Sequence, residues 1–247
     1  MERESDLMKK ILTLIFAAIL SAGLAGQASA DLITSVDFET PGGFTTSIPE
    51  ATDGFFDYFT TSDGSNIGGI YNSPQGNSFF AAADTDAAEI GASPASLFIN
   101  DINITDFTNL NVQLLAAEDD DGTNQDWDAS DAFEIFASID GGPSTLVFSI
   151  RNDGTGFNAE PLIDTDLDGI GDGTAITDTF ADFTGTIAGT GTELDLEFRF
   201  SLNSGDEDLA IDNIRINGDL ATSAIPEPSS IALLGLVGLA GVVRRRK

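Results

Sequence analysis

The chain has 247 residues, of which 41 are acidic and ten are basic, and it contains no histidine and no cysteine. The absence of these two residue types excludes a Ser-His-Asp triad, a cysteine nucleophile, a histidine-bound zinc and any disulfide. The strongly negative charge disfavours nucleic acid and anionic lipid as partners and favours divalent cations.

The first 30 residues have the features of an export signal. A Lys-Lys pair at 9–10 precedes an apolar stretch at 11–24, and a small-x-small cleavage site runs from Ala28 to Ala30. We therefore predict an N-terminal signal helix within residues 1–30, which is removed so that the mature protein begins at Asp31.

The body that follows, residues 31–222, contains 37 of the acidic residues and only three basic ones, all arginines. Because it contains no lysine, a glycine-rich phosphate loop with its lysine is excluded. Its length suits one sizeable domain, and without disulfides its stability must come from a core and from bound cations.

Short runs of alternating apolar and polar residues recur along the body, separated by Gly, Asp and Asn turns. Residues 110–114 and 133–139 alternate in this way, and residues 194–202 place five apolar side chains on one face. No segment of the body keeps a helical period. This pattern predicts an all-β fold, an antiparallel β-sandwich of the jelly-roll type.

Three segments carry a resemblance to a known fold family: residues 36–39 (Val-Asp-Phe-Glu), 75–82 and 209–216. Their order resembles the galactose-binding-like and concanavalin-like jelly rolls, which include carbohydrate-binding modules and MAM-type extracellular domains. In many of these, a Glu of the first strand and an Asp of the last strand help to hold a structural calcium. The resemblance therefore implies that Glu39 and Asp212 are calcium ligands.

The spacing of apolar residues around Asp212 is also informative. Ile211, Ile214 and Ile216 are spaced as if one residue were inserted at positions 212–213, which predicts a β-bulge. Bulges re-aim side chains near sites. The alternative is that Asp212 caps a strand kink through backbone hydrogen bonds.

An acidic, turn-rich stretch at 118–131 contains Trp127, the only tryptophan of the chain. Trp127 could stack on a sugar ring while its neighbours Asp126 and Asp128 accept sugar hydroxyls. The alternative, which the composition favours, is a loop whose tryptophan anchors it in the core while the charges face water.

A second acidic stretch, residues 164–173, reads Asp-Thr-Asp-Leu-Asp-Gly-Ile-Gly-Asp-Gly. Carboxylates at alternate positions followed by glycine can wrap oxygen ligands around calcium, so Asp164, Asp166, Asp168 and Asp172 are candidate ligands. The stretch resembles the calcium loops of EF-hands, dockerins and thrombospondin type 3 repeats. It departs from the EF-hand at position twelve.

At that position Ala175 replaces the usual glutamate, and no helical pattern flanks the loop. We therefore expect a calcium loop of another type, completed by water, a backbone carbonyl or Asp178. A solvated Asp-Gly turn is the alternative.

The last residues, 223–247, have three parts in a fixed order: Pro226-Glu227-Pro228, an apolar run at 231–243, and four basic residues. An apolar run that ends in a basic cluster predicts a hydrophobic helix whose basic end stays cytoplasmic. The segment resembles the PEP-CTERM sorting signal of Gram-negative bacteria that make exopolysaccharide. That resemblance implies recognition by an exosortase, cleavage near the Pro-Glu-Pro motif, and release or transfer to the cell surface.

These observations predict an exported, non-catalytic protein of the cell surface, extracellular matrix or biofilm. We expect exosortase and the secretion machinery as partners, a transient membrane contact through the C-terminal helix, calcium as a stabilising ion, and association with exopolysaccharide. A carbohydrate-binding module for a specific glycan is the first alternative, with Trp127, Tyr58 and Tyr71 as its candidate aromatic residues. A jelly-roll glycoside hydrolase or lyase is the second, because the carboxylates cannot be sorted from sequence.

Overall fold

The computed structural model describes residues 30–119, 127–156 and 158–221. The two predicted terminal helices, Ala28, Asp126 and the sorting motif Pro226-Glu227-Pro228 lie outside these residues. Ala30 is described and is exposed. Within the described ranges, a helix of the length and hydropathy needed for a membrane span is not found.

The described part of the chain forms thirteen strands. In chain order these are β1 (Asp31–Val36), β2 (Thr45–Thr46), β3 (Ala51–Thr52), β4 (Tyr58–Ser62), β5 (Phe79–Ala83), β6 (Ala95–Asn103), β7 (Phe107–Ala117), β8 (Ala132–Ile139), β9 (Thr145–Arg151), β10 (Leu162–Ile163), β11 (Ala181–Thr186), β12 (Glu193–Ser201) and β13 (Asp208–Leu220).

The strands form two sheets, and every pair of named strands is antiparallel. Sheet A has the order β11-β7-β13-β5-β4-β3, with β1 also paired to β13, and sheet B has the order β10-β9-β8-β12-β6-β2. From β5 onward, most of the connections between consecutive strands carry the chain from one sheet to the other. The predicted antiparallel β-sandwich of the jelly-roll type is confirmed.

Strand β12 shows why the sequence forms this fold. Leu194, Leu196, Phe198 and Phe200 are buried, whereas the residues between them are partly exposed. Because side chains of a strand alternate between its faces, the period-2 sequence pattern puts one face into the core. Burying each such side chain stabilises the fold by about 1.5–3 kcal/mol.

The main hydrophobic core lies between the sheets and contains a group of packed aromatic rings. Phe80 packs edge-to-face on Phe59 with ring centroids 4.8 Å apart, and Phe133 lies 4.9 Å from Phe200. A smaller cluster covers the other face of β4, β5 and the adjoining ends of β7 and β13, and it includes both tyrosines of the chain.

The predicted β-bulge is present in β13. Asp212 pairs with Leu115 and Arg215 with Gln113, so β13 has one extra residue across this step. Asn213 takes a positive φ of 44° at the bulge. The bulge turns Asp212 toward the loop at 75–78, where its side chain takes part in one of the candidate sites.

Candidate functional site

The loop at 164–172 follows the short edge strand β10. The N–H of Asp164 donates to the carbonyl of Ser149 on β9, at 3.0 Å, and this bond ties the start of the loop to sheet B. The Asp164 side chain is buried, and its two oxygens accept the N–H groups of Asp168, at 3.1 Å, and Gly169, at 2.9 Å. The loop therefore folds around its first carboxylate.

Three of the four aspartates predicted for this loop are brought together. Asp164, Asp166 and Asp168 each offer a carboxylate oxygen, and these oxygens lie within 4.8 Å of one another. Gly169, with a φ of +96°, provides the sharp turn that follows them. A set of hard oxygen donors of this kind fits calcium, whose ligands are mostly carboxylate and carbonyl oxygens.

The fourth aspartate, Asp172, lies outside that group. Its Oδ1 accepts the N–H of Thr165 at 2.9 Å and the hydroxyl of Thr165 at 2.7 Å. The hydroxyl bond, together with the N–H bond, lowers the pKa of Asp172. Asp172 therefore closes the ends of the loop onto each other. Asp178, the other residue expected to complete the site, accepts a hydrogen bond from the side-chain amide of Asn72 at 2.7 Å.

Glu39 and Asp212, the pair implied by the fold resemblance, both bind a different loop, at residues 75–78. Asp212 Oδ2 accepts the N–H of Gln75 at 2.7 Å, and Glu39 Oε1 accepts the N–H groups of Asn77, at 2.6 Å, and Ser78, at 2.8 Å. The segment that follows β1 and the last strand, β13, thus both reach the loop at 75–78 through a carboxylate.

The electrostatics of these two carboxylates differ. Burial, together with the negative charges of Glu39 and Asp37, raises the pKa of Asp212 to about 6, against the hydrogen bonds from Gln75 and Asn213. The N–H bonds to the exposed Glu39 lower its pKa. Asp212 also accepts the N–H of Asn213 at 2.6 Å. This bond is of the kind expected under the alternative interpretation, in which Asp212 caps the strand kink instead of binding calcium. Calcium at this pair stays a prediction.

The sugar-stacking role predicted for Trp127 does not fit its position. Trp127 is fully buried, and its indole N–H donates to the carbonyl of Asp208 at 3.3 Å, so its ring presents no face to a ligand. Asp128 accepts the N–H of Ser130 at 2.7 Å and so caps a turn. The alternative from the sequence, a loop anchored by its tryptophan, describes the observed burial.

Tyr58 and Tyr71, the other aromatic candidates, are also buried and form a hydrogen-bonded chain. Their phenol oxygens lie 2.7 Å apart, and the hydroxyl of Tyr71 donates to Asp208 Oδ1 at 2.6 Å. The N–H of Asp119 donates to the same oxygen at 3.0 Å. Burial raises the pKa of Asp208 to about 7. These tyrosines fix a buried carboxyl group and offer no surface to a glycan.

Two further groups of carboxylates, neither of which was predicted as a group from the sequence, also bring their oxygens within 4.8 Å of one another. One consists of Asp128, Asp131 and Glu207, and the other of Asp101, Glu193 and Asp195. Each group joins residues from distant parts of the chain, so no local spacing in an acid-rich sequence could have revealed it.

The three arginines of the body are all paired with carboxylates. Arg151 pairs with Glu134, Arg199 with Glu197 at 2.7 Å, and Arg215 with Asp182. The guanidinium of Arg199 also lies 4.0 Å above the ring of Phe136. Arg199 and its partner both lie on β12, whereas the partners of Arg151 and Arg215 lie on other strands, β8 and β11.

Comparison with known protein families identifies the C-terminal segment. Residues 224–247 match the PEP-CTERM protein-sorting motif, as the sequence analysis predicted. The protein is therefore an exosortase-sorted surface protein, which is exported, held transiently in the membrane by its C-terminal region and delivered to the cell surface. No curated protein matches the chain by sequence.

Solved structures that are similar to the body include carbohydrate-binding modules and an adhesin domain. The CBM22-1 xylan-binding domain of Paenibacillus barcinonensis Xyn10C is 14% identical, with 80% of this chain and all of that chain covered and a TM-score of 0.40. The K1 cleaved adhesin domain of Lys-gingipain from Porphyromonas gingivalis is 17% identical, with 75% and 98% covered and a TM-score of 0.40.

The family 35 carbohydrate-binding module of Clostridium thermocellum is 12% identical, with 75% of this chain and 99% of that chain covered and a TM-score of 0.39. At this level of similarity, no ligand follows for this chain.

Proposed function

We propose that the protein is a non-catalytic component of the cell surface or extracellular matrix, stabilised by calcium and associated with exopolysaccharide. The observation that carries this proposal is the sorting motif at residues 224–247, attached to a β-sandwich body with 37 acidic and three basic residues. The motif accounts for export, and the anionic body suits a cation-rich exterior, where salt screens its self-repulsion.

A non-catalytic role is supported by the chemistry of the buried carboxyl groups. A retaining glycosidase needs two carboxyl groups about 5–5.5 Å apart, with the sugar between them. Asp131 and Glu207 are instead buried and in contact with each other, so neither is exposed to a sugar in solution. Asp208 is occupied by Tyr71 and by a backbone N–H. The chain also lacks the histidine and cysteine that other hydrolases use.

Calcium would be held by Asp164, Asp166 and Asp168. The ion would supply the positive charge that offsets three adjacent carboxylates and would cross-link the loop to the edge of sheet B. Glu39 and Asp212 would hold a second ion between the segment that follows β1 and the last strand, β13. An ion that binds only the folded state adds stability by mass action.

The proposed association is tested by producing the full chain in a host that has an exosortase and by comparing strains that make or lack exopolysaccharide. We expect the processed protein to sediment with washed exopolysaccharide from the first strain and to stay in the supernatant of the second. Equal amounts in both supernatants would overturn the proposal.

The second candidate function is binding of a specific glycan as a carbohydrate-binding module. A specific observation favours it: two phenylalanines, Phe55 and Phe56, are exposed at the tip of a hairpin. Catalysis on the same fold is the third candidate, and release of new reducing ends from purified exopolysaccharide by the wild-type domain, abolished by one Asp or Glu substitution, would favour it.

A further inference from the structure

The hairpin of β3 and β4 ends in a loop, residues 53–57, that its first aspartate holds in place. The N–H of Asp53 donates to the carbonyl of Asp57 at 2.9 Å. The side chain of Asp53 accepts the N–H groups of Phe55, at 2.7 Å, and Asp57, at 3.1 Å. Three hydrogen bonds within five residues define the backbone of this loop.

Those tip side chains are apolar and exposed. Phe55 is 56% and Phe56 is 47% exposed, and their rings meet edge-to-face with centroids 4.3 Å apart and an interplanar angle of 87°. Ile70, on a neighbouring loop, is 66% exposed. Two adjacent phenylalanines that leave so much surface in water are typical of a contact surface, because burial in the core would have stabilised the fold.

Two glycines, Gly68 and Gly205, lie against the backbone and Cβ atoms of Phe55 and Phe56. The N–H of Gly68 donates to the carbonyl of Phe55 at 2.7 Å, and a Cβ at Gly68 would lie 2.7 Å from that same oxygen. A Cβ at Gly205 would lie 2.7 Å from Cβ of Phe56. The neighbouring loops thus approach the tip closely enough that positions 68 and 205 have no room for a side chain.

The surroundings of the tip are negative. Asp53 and Asp57 flank the two rings, and the side chain of Asp57 interacts with those of Glu89 and Asp84. Burial, followed by the charges of Asp53 and Glu89, raises the pKa of Asp57. The three arginines of the body lie on β9, β12 and β13, each paired with a carboxylate. A partner at this tip therefore meets an apolar surface with a carboxylate border.

We propose that the Phe55–Phe56 tip binds a polysaccharide of amino sugars, whose C–H ring faces pack on the phenylalanines and whose ammonium groups meet the adjacent carboxylates. This inference rests on the proposed function and specifies its ligand. Sugar rings pack on aromatic faces, and ammonium groups are attracted both to such faces and to carboxylates. Anionic lipid and a second copy of this anionic chain would be repelled.

The test measures binding of the domain Ala30–Leu220, which forms one compact unit with both sheets and its own core. A glucosamine hexamer is titrated into it by calorimetry in the presence of chelator, beside an N-acetylglucosamine hexamer and a lysine hexamer. We expect the glucosamine hexamer to bind at least tenfold more tightly than either comparison ligand, because only it offers both the ring faces and the charge.

Variants separate the two contributions. We expect Phe55→Ala and Phe56→Ala each to weaken binding about tenfold, a loss of about 1.4 kcal/mol. Asp57→Asn should weaken binding and reduce its dependence on salt. Leu32→Ala, at an exposed apolar residue on β1, is the matched control and should bind like the wild type. Circular dichroism and the fluorescence of the single tryptophan check that each variant is folded.

Two results would overturn the inference: equal affinity for the lysine and glucosamine hexamers, which indicates charge alone, or unchanged binding by the Phe55→Ala/Phe56→Ala double variant. Failure of the proposed function gives a different pattern. If the double variant still sediments with native exopolysaccharide, the inference fails and the proposed function stands. If the wild type binds the glucosamine hexamer but does not sediment with exopolysaccharide, the proposed function fails and the inference stands.

Discussion

The buried carboxyl groups of Asp131 and Glu207 hydrogen-bond to each other. Asp131 directly precedes β8 of sheet B, and Glu207 directly precedes β13 of sheet A; their residues are 1% and 4% exposed. Asn203 donates its N–H to Glu207 at 2.7 Å and its side-chain amide to Asp131 at 3.4 Å. Two buried carboxyl groups in contact favour holding a proton, because the negative charges would repel each other if both were ionised.

This contact predicts that the domain loses stability as the pH rises from about 5 to about 8. Burial, followed by the contact with Glu207, raises the pKa of Asp131 to about 8, whereas an unfolded aspartate titrates near 4. The folded state therefore keeps a proton that the unfolded state releases, and each such proton lowers the free energy of unfolding by up to about 1.4 kcal/mol per pH unit. Asp208, with a pKa of about 7, acts in the same direction.

The measurement is urea unfolding at several pH values in chelator, followed by the fluorescence of Trp127. We expect Asp131→Asn to flatten the pH dependence, because asparagine is neutral throughout. The exposed Asp63 is a matched control: hydrogen bonds from Ser65 lower its pKa, so Asp63→Asn should leave the slope between pH 5 and 8 unchanged. A wild-type stability that is flat over this range would contradict the prediction.

Calcium should raise the melting temperature of the domain, and Asp166→Asn should remove most of that rise. Asp166 is exposed, and within the described part of the chain it accepts one hydrogen bond, from Asp168 at 3.3 Å, which asparagine can keep. The variant should therefore melt like the wild type in chelator. At one hundred times the dissociation constant, a bound ion contributes about 2.7 kcal/mol. Differential scanning fluorimetry with and without calcium measures the difference.

The control for that experiment is Asp153→Asn, which changes the charge equally. Asp153 caps its own turn through Thr155 and lies outside the group of Asp164, Asp166 and Asp168. Its response to calcium should equal that of the wild type. If Asp166→Asn and the control shift equally, calcium binds this loop no better than the rest of the acidic surface.

Asp172 is expected to shape the calcium loop without binding the ion. Its Oδ1 accepts both bonds from Thr165, and the amide oxygen of asparagine can accept the same two bonds. We therefore expect Asp172→Asn to change calcium affinity by no more than about threefold, or about 0.7 kcal/mol. Calorimetric titration decides this, and a loss as large as that of Asp166→Asn would show that Asp172 is a ligand after all.

Gly76→Ala should destabilise the domain by about 1–3 kcal/mol. Gly76 has a φ of +86°, and a Cβ there would collide with the Glu39 carboxylate, which is held by the N–H groups of Asn77 and Ser78. Gly42→Ala is the control, since Gly42 also has a positive φ, of 110°, but open space beside it. Chemical denaturation should show a larger loss at position 76; equal losses would indicate backbone strain alone.

The architecture was predictable because its signal is local. Period-2 alternation at 194–202 specifies a buried strand face whatever its neighbours are, and the spacing of Ile211, Ile214 and Ile216 revealed the bulge directly. The pairing of β13 with three other strands, and the distribution of strands between the sheets, depend on contacts between distant residues and could not be derived in this way.

The candidate sites were predictable only where their residues are neighbours in sequence. Asp164, Asp166 and Asp168 lie at alternate positions, so their convergence followed from spacing. The burial of Trp127 depends on how the loop before β8 packs. The contact of Asp131 with Glu207 joins two distant loops, and among 37 acidic residues nothing in the sequence marks that pair.

The paired arginines have a consequence for how long the protein survives outside the cell. Residues 31–222 contain no lysine, and Arg151, Arg199 and Arg215 all lie within strands. Trypsin-like proteases cut only after lysine or arginine and need the target segment drawn out of its sheet. While the sandwich stays folded, its turnover in a protease-rich environment is left to enzymes of other specificity.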